Sequence, residues 1–592
     1  MKITASLLTH YKKSITISWK ASPWMFLLRL LLEIVAVIIP TASLYLSRTA
    51  INLLSTGVST TVRKDFYFVI LFITIVHILG NLNTKLNTYI STVHSDLVMN
   101  VIDLEIADKI NELDISFFDN SAFYDQIQNS MRDARSLHSL TWLSISLVRS
   151  IVQIAVNTVI LTGLSWLLPI VIVVFSLPSI FLDKYIAKRK YSWQLKRARN
   201  DRKLAYTKGL LTGKAYSKDV RLLNIASFFR QKFLDMWQVW FREKKKLDRQ
   251  RLILSFSSSL LPQIISTSVL LIIGNGIFAG EYTLGDYSLY GGIVTQLFAS
   301  VGMLASVINQ SYESRLRLDN FDVFLQTEPR ITDTGTKTLR KVDSIQFINV
   351  SFTYPGAKSK ALEDVSFFVS QKQSVAIVGM NGAGKSTIIK LILRLYDPDS
   401  GQILINGTDI KEYRLSDYYR CIGVVFQDFC RYNLRLREAI ALADTKKMDD
   451  DTRIINACRN AGLDMGKFSK RGIDTYLGRI FDDEGIELSG GDWQKVAIAQ
   501  AYFRESSLIV FDEPNASLDP VAEKNLFDKM SDLGREKCVI YVTHRLLSTK
   551  LADKIIVVDR GRCIEEGRHA ELMERHGKYR ELFEKQVANY IE

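Results

Sequence analysis

The sequence predicts two folds in one chain. Residues 1–330 read as a six-span α-helical membrane domain with long polar helix extensions, and residues 345–592 as an α/β domain. Three observations predict this. Six apolar runs fall within the first 330 residues, at about 25–46, 66–86, 143–164, 166–183, 252–278 and 287–309. From Ile345 onward, short β-branched segments alternate with helical ones. Between one such strand, Ser374–Val378, and an apolar helix from Ile388 lies the loop Gly379-Met-Asn-Gly-Ala-Gly-Lys-Ser-Thr387.

Composition narrows the reading further. The chain has 592 residues, 47% hydrophobic and 23% charged, which excludes a disordered tail and a disulfide-knotted mini-protein. The net charge of +14 invites a nucleic-acid partner, but its position argues against one. Residues 1–330 hold 37 Lys and Arg against 23 Asp and Glu, whereas residues 331–592 hold 39 of each. All five cysteines (Cys421, Cys430, Cys458, Cys538 and Cys563) lie in the balanced part, with no metal-ligand spacing, which suits a reducing compartment.

Taken in order, residues 1–23 are polar and basic with scattered aromatics, and suit an amphipathic helix at a membrane surface. No small-residue cleavage site follows, so no removable signal is expected. An apolar run of about 20 residues, rising 1.5 Å per residue, spans the ~30 Å hydrocarbon core. Gly163–Trp166 is a short turn between the third and fourth runs. Residues 183–251 carry 21 Lys and Arg against 6 Asp and Glu, while 163–166 and 279–286 carry no Lys or Arg. The positive-inside tendency puts the basic segment in the cytosol, and six spans put both ends there as well. Segments 87–142 and 184–251 are helix-forming, so the spans run on past the bilayer. Residues 331–344 read as a linker.

The chemistry sits in the α/β part. Glycines of the 379–387 loop let backbone N–H groups close around β- and γ-phosphates at a helix N-terminus. Lys385 neutralises phosphate charge and Ser386 is a Mg²⁺ ligand. Leu508-Ile-Val-Phe-Asp512-Glu513 is a buried strand ending in two carboxylates. Asp512 faces Mg²⁺, and Glu513 is placed to polarise an attacking water. Leu488-Ser489-Gly490-Gly491-Asp492-Trp493-Gln494 is a second anion nest, more than one nucleotide needs within one domain. It therefore suggests service to a nucleotide held by a partner domain.

These motifs, in this order behind six apolar runs, resemble those of an ATP-binding cassette (ABC) exporter half-transporter, over essentially the whole chain. The resemblance implies ATP and Mg²⁺ as cofactors, ATP hydrolysis coupled to transport, and a nucleotide site made of Tyr354, Gly379, Asn381, Gly382, Gly384, Lys385, Ser386 and Thr387. A partner's nucleotide would meet Ser489, Gly490, Gly491 and the D-loop residue Asp519. Catalytic roles fall on Glu513, Gln427 and the switch residue His544, with Ser386, Gln427 and Asp512 toward Mg²⁺. Phe117, Phe118 and Tyr124 resemble the first coupling helix. Tyr216 and Arg221, in Lys214–Leu223, resemble the second, which crosses to the other subunit in this fold. Asp492 stands where Gln is more usual, and Asn515-Ala516 where Thr/Ser-rich pairs are common.

Inside the spans, Arg29 and Glu33 stand one helical turn apart and could pair. Arg149, Gln153 and Asn157 share a helix face, and Lys85 is polar at intramembrane depth. This set lines a water-filled cargo cavity or bonds helices together. The expected protein is a homodimer, or a pair of related halves, in a bacterial inner membrane. The Gly-Gly-Asp-Trp-Gln variant and Phe117–Tyr124 are similar to half-transporters exporting lanthipeptides, so a peptide or amphipathic cargo is expected. Multidrug or lipid export, a non-transporting regulator and an exporter-fold importer are the alternatives.

Overall fold

The computed structural model describes residues 2–56, 59–119, 121–468, 470–514 and 520–591. They form two compact units. One is Met1–Asn111 with Asp125–Thr327, and the other is Glu112–Tyr124 with Glu328–Glu592.

The first unit is helical: α1 (Lys2–Ala21), α2 (Pro23–Ser55), α3 (Thr60–Glu112), α4 (Ser121–Thr162), α5 (Leu168–Thr212), the short α6 (Ser217–Leu222), α7 (Ala226–Phe278) and α8 (Leu284–Leu325). Proline at the first helical position opens α2, where its missing N–H has no intrahelical partner to lose. A capping box opens α8: the Asp286 N–H donates to Thr283 Oγ1 and the Thr283 N–H to the Asp286 carboxylate, at 3.2 and 2.9 Å. With 53 residues each, α3 and α7 run about 80 Å, far more than a bilayer core needs.

Among the described residues five helices are long and apolar enough to cross a membrane: α2, α3, the Asn129–Thr162 part of α4, α7 and α8. Among the described residues α5 opens on the apolar stretch Leu168–Pro178, within a helix that runs on to Thr212. Large apolar side chains such as Ile34, Phe72 and Leu271 point outward, the reverse of a water-facing helix surface. Leu161, Ile172, Val269, Ile293 and Leu297 form the buried seam joining α4, α5, α7 and α8. One face of α1 is also buried. Ser14 donates to the Leu137 carbonyl at 2.6 Å, and Lys13 pairs with Asp322 at 3.1 Å, tying α1 to α4 and α8.

The second unit begins with extended residues 328–343, whose Leu339 and Val342 are buried. Then come β1 (Ser344–Phe352), β2 (Leu362–Ser370), β3 (Ser374–Val378), α9 (Lys385–Ile392), β4 (Ser400–Ile405), β5 (Thr408–Asp409), α10 (Leu415–Arg420), β6 (Ile422–Val425), α11 (Leu436–Ala441), α12 (Asp451–Asn460), α13 (Gly490–Phe503), β7 (Leu508–Asp512), α14 (Pro520–Gly534), β8 (Cys538–Val542), β9 (Lys554–Asp559), β10 (Arg562–Gly567), α15 (His569–Glu574) and α16 (Lys578–Ile591). An antiparallel sheet has the order β2-β1-β4-β5, and a larger sheet the order β10-β9-β3-β8-β7-β6. The larger sheet is parallel apart from β10. Its inner strands β3, β7 and β8 are buried at every position, which explains their unbroken apolar sequences. The loops leaving the carboxyl ends of parallel strands are where such sheets hold ligands.

Candidate functional site

The loop after β3 lies at that end. Gly379 has φ +156°, and a Cβ there would lie 2.1 Å from the Val558 carbonyl oxygen, so only glycine lets the chain pass β9 and turn. The Lys385 ammonium folds back over the loop and donates to the carbonyls of Gly379 and Met380, at 2.9 and 3.0 Å. Burial lowers its pKa, against the pull of Glu513 and Asp512.

β7 brings in the carboxylates. Ser386 Oγ donates to Asp512 Oδ1 at 3.3 Å. Burial first, and the adjacent Glu513 charge second, push the Asp512 carboxyl up to about 6. A hydroxyl and a carboxylate oxygen side by side form the hard-oxygen donor set that Mg²⁺ takes, and bound phosphates would complete it. Glu513 sits in the left-handed region, φ +50°, with its N–H bonded to the Val542 carbonyl at 3.1 Å. That conformation turns its side chain out of the strand's alternation. Its carboxylate is held by two groups from neighbouring strand ends: Gln427 Nε2 donates at 3.0 Å, and His544 Nε2 lies in contact with the other oxygen.

Lys385, Ser386, Gln427, Glu513 and His544 line a cavity of about 910 Å³ together with Tyr354, Asn381, Gly382, Gly384 and Thr387, while Gly379 and Asp512 are not on its wall. The Tyr354 hydroxyl bonds Thr387 Oγ1 at 3.1 Å, leaving its ring at the wall. Sequence reasoning had not singled out Lys360 or Arg560, cations on the same wall. Arg560 stands in the Asp559-Arg560-Gly561-Arg562 turn between β9 and β10, where a basic pair around glycine was the available signal.

Ser489, Gly490 and Gly491 do not line this cavity. They open α13, which packs through Trp493, Val496 and Phe503 into a separate core with α11 and α12. Ser489 Oγ accepts from the Asp492 N–H at 3.2 Å and donates to Asp492 Oδ2 at 2.8 Å. The Lys467 ammonium pairs with the same oxygen at 2.7 Å. Burial opposes the Asp492 charge, but the bonds from Lys467 and Ser489 outweigh it and hold the carboxyl below its usual range. Asp519 lies outside the described residues.

The segment Glu112–Tyr124 belongs to this same unit. Asp114 Oδ2 accepts from the N–H groups of Arg330 and Ile331 at 2.7 and 3.2 Å, and the Tyr396 hydroxyl donates to the Asp119 carboxylate. Phe117 packs on Phe123, with ring centroids 4.6 Å apart, under the Arg330 guanidinium. Phe118 is exposed, and the Tyr124 side chain lies outside the described residues. In the helical unit, Tyr216 and Arg221 are exposed, as are their neighbours Leu222 and Leu223.

Of the intramembrane polar residues, Arg149 pairs with Glu33 at 2.9 Å, and Asn87 Nδ2 also donates to Glu33, at 2.8 Å. Arg29 does not pair with Glu33. It donates to Ser91 at 2.6 Å and lies over the Trp142 ring. Gln153 Nε2 reaches Asn157 Oδ1 and Gln296 Oε1 at 3.3 and 3.4 Å, and Asn157 is fully buried. Lys85 is exposed on α3, apart from these bonds.

A glycine-rich loop, a carboxylate pair and a histidine gathered at the ends of a parallel sheet, joined to a bundle of long apolar helices, define an ATP-driven membrane transporter. The chain belongs to the ABC transporter family, whose profile matches residues 362–516. It is similar to the subtilin transport ATP-binding protein SpaT of Bacillus subtilis, 30% identical over 96% of this chain and 92% of that protein. The nisin transport ATP-binding protein NisT of Lactococcus lactis subsp. lactis is 27% identical over 94% of this chain and 92% of its own length. In fold the chain agrees with a bacterial Atm1-family ABC exporter with ATP bound, with a TM-score of 0.80 over 94% of this chain and 98% of that one, at 22% identity. The protein is thus a multi-pass membrane protein of exporter fold that hydrolyses ATP to drive transport.

Proposed function

We propose that this protein is a homodimeric exporter of a peptide, working across a bacterial inner membrane with six spans per chain and both termini and the ATPase unit in the cytosol. The near full-length likeness to the subtilin transport protein carries this reading. The +15 charge of residues 183–251 supports the orientation.

In the proposed cycle, Lys385 and the N–H groups of the 379–384 loop hold the phosphates, and Tyr354 offers its ring to the base. Ser386, Asp512 and Gln427 would hold Mg²⁺, which would supply charge neutralisation on the phosphates. Glu513 Oε orients the attacking water and takes its proton. His544 moves from Glu513 to the γ-phosphate once nucleotide enters. Ser489, Gly490, Gly491 and Asp519 close on the partner's nucleotide. Phe117 and Phe118 couple the ATPase unit of the same chain to the helices, and Tyr216 and Arg221 couple them to the ATPase unit of the partner. Arg149, Gln153, Asn157 and Lys85 would then face cargo when the bundle opens.

The test is uptake into inside-out proteoliposomes from a panel of thioether-bridged peptides, lipids and cationic drugs. ATP-dependent peptide uptake, abolished in Glu513→Gln while ATP binding persists, is the expected result. Uptake of a lipid or drug with no peptide transport overturns the cargo assignment.

A further inference from the structure

The helical unit contains a second cavity, of about 500 Å³, between α5 and α7. Its walls carry Arg189, Lys190 and Trp193 from α5 and Trp240, Lys244 and Arg251 from α7. It lies within a few turns of the points where the apolar sequence of α5 ends and that of α7 begins, since Tyr185 and Ile186 line it on one side and Arg251 and Leu254 on the other.

Its charges are unbalanced. Glu243, the nearby acid, is already committed to Trp193 Nε1 and Arg197, both at 2.8 Å. Asp201 lies 3.6 Å from Arg197. Among the described residues no ion pair involves Arg189, Lys190, Lys244 or Arg251. Arg189 reaches only the Tyr185 hydroxyl, at 3.3 Å, and Lys244 lies 4.9 Å over the Trp240 ring. Asp248, also on the wall, lowers the net charge without removing the excess. Four cations face only two carboxylates on this wall, Asp201 and Asp248, so the cleft keeps an excess of positive charge. Toward the apolar ends, Phe181, Leu252 and Ile253 are exposed.

We propose that this cleft binds the phosphate headgroup of an anionic phospholipid. Guanidinium and ammonium groups on two helices give charge-assisted bonds to phosphate oxygens. The two indoles suit the interfacial level, and the exposed apolar residues suit acyl chains. Basic pockets between membrane helices on the cytosolic side take such headgroups. A phosphate held by Arg189 on one side and by Lys244 and Arg251 on the other bridges α5 and α7. The inference rests on these two helices crossing the bilayer, and not on the cargo.

Phosphate chemistry could also come from the free ion, so the test has separate arms. The full-length protein in detergent is titrated with phosphatidylglycerol, phosphatidylcholine or inorganic phosphate, and retained lipid is read by native mass spectrometry. The wild type should retain phosphatidylglycerol over phosphatidylcholine by about tenfold, in keeping with what a few basic residues add at an anionic surface. Arg189→Gln/Lys244→Gln/Arg251→Gln should lose that preference. Lys203→Gln/Lys208→Gln/Lys232→Gln, with the same charge removed elsewhere in the basic segment, should keep it. An unchanged melting temperature without added lipid shows that the triple variant folds, and the single variant Lys244→Glu should show the same loss if the triple does not fold. Equal retention by the cleft variants and the wild type, or equal loss in the control triple, overturns the site. Displacement of phosphatidylglycerol by millimolar inorganic phosphate assigns the cleft to the free ion and overturns the lipid.

Discussion

Asp492 places a carboxylate at the mouth of an anion nest, where it would repel an incoming phosphate. Two contacts make it tolerable. It is the third residue of α13, where a negative charge suits the helix dipole, and Lys467 pairs with it at 2.7 Å. The charge at this nest is therefore set by a pair and not by Asp492 alone. Lys467→Ala should leave the carboxylate uncompensated and raise KM for ATP by about tenfold with a smaller change in kcat, since a charge a few ångströms away at a partly wet site is worth about 1–2 kcal/mol. Lys467→Ala/Asp492→Gln should return KM to near the wild-type value, because both charges leave together. Steady-state ATPase assays on the three proteins decide it, and a double variant as impaired as the single one would sink the coupling. The contrast shows what was legible at this scale. Lys385, Ser386, Asp512 and Glu513 announce themselves because each sits in a contiguous pattern that phosphate chemistry imposes. Lys467 stands 25 residues from Asp492 in a short 3-10 turn, and no local pattern marks it. The embrace of Glu513 by Gln427 and His544 is likewise a product of strand order, because β6, β7 and β8 are neighbours in the sheet.

The helix α16 shows how an element can matter to a site it does not line. Tyr579 on α16 is fully buried, and its hydroxyl bonds Thr549 Oγ1 and His569 Nδ1 at 2.7 and 2.8 Å. From this anchor Gln586 reaches both sides of His544, the residue proposed to contact the γ-phosphate. Its Nε2 donates to the His544 carbonyl at 2.7 Å, and its Oε1 accepts from the Leu546 N–H. Gln586 is thus a positioning residue for His544. Gln586→Ala should lower kcat by about tenfold while leaving nucleotide affinity unchanged, in line with the 0.5–1.5 kcal/mol each such bond contributes. Gln586→Glu, which keeps the acceptor and loses the donor, should fall between them. ATPase rates beside equilibrium binding of a fluorescent ATP analogue give the answer, and a rise in Kd equal to the fall in kcat would contradict it. Element by element, the long helices and parallel strands were legible because a membrane core and a two-sided sheet each demand unbroken apolar sequence. Residues 331–344 are polar in composition, yet Leu339 and Val342 are buried in the core around β1 and β2, which loop composition does not reveal.

At the scale of the whole molecule, two features of the single chain point beyond it. The nest at Ser489 lies apart from the cavity that holds Lys385 and Glu513, although one unit carries both. The tip between α5 and α7 leaves Leu222 and Leu223 bare, 85% and 63% exposed, at a place too polar in its surroundings to be a lipid-facing surface. The first is explained if each nucleotide is sandwiched between the phosphate loop of one copy and the nest of another, and the second if this tip docks on that other copy. A mixing experiment tests this arrangement directly. Lys385→Ala disables a phosphate loop, and Ser489→Arg fills a nest with a bulky cation, so each variant alone should be inactive. In a mixed dimer, one sandwich combines both lesions and the other combines an intact loop with an intact nest. Co-reconstituted chains carrying different affinity tags, purified through both, should therefore recover ATPase activity well above either parent. If loop and nest of the same chain served the same nucleotide, every site in the mixture would carry one lesion and no activity would return.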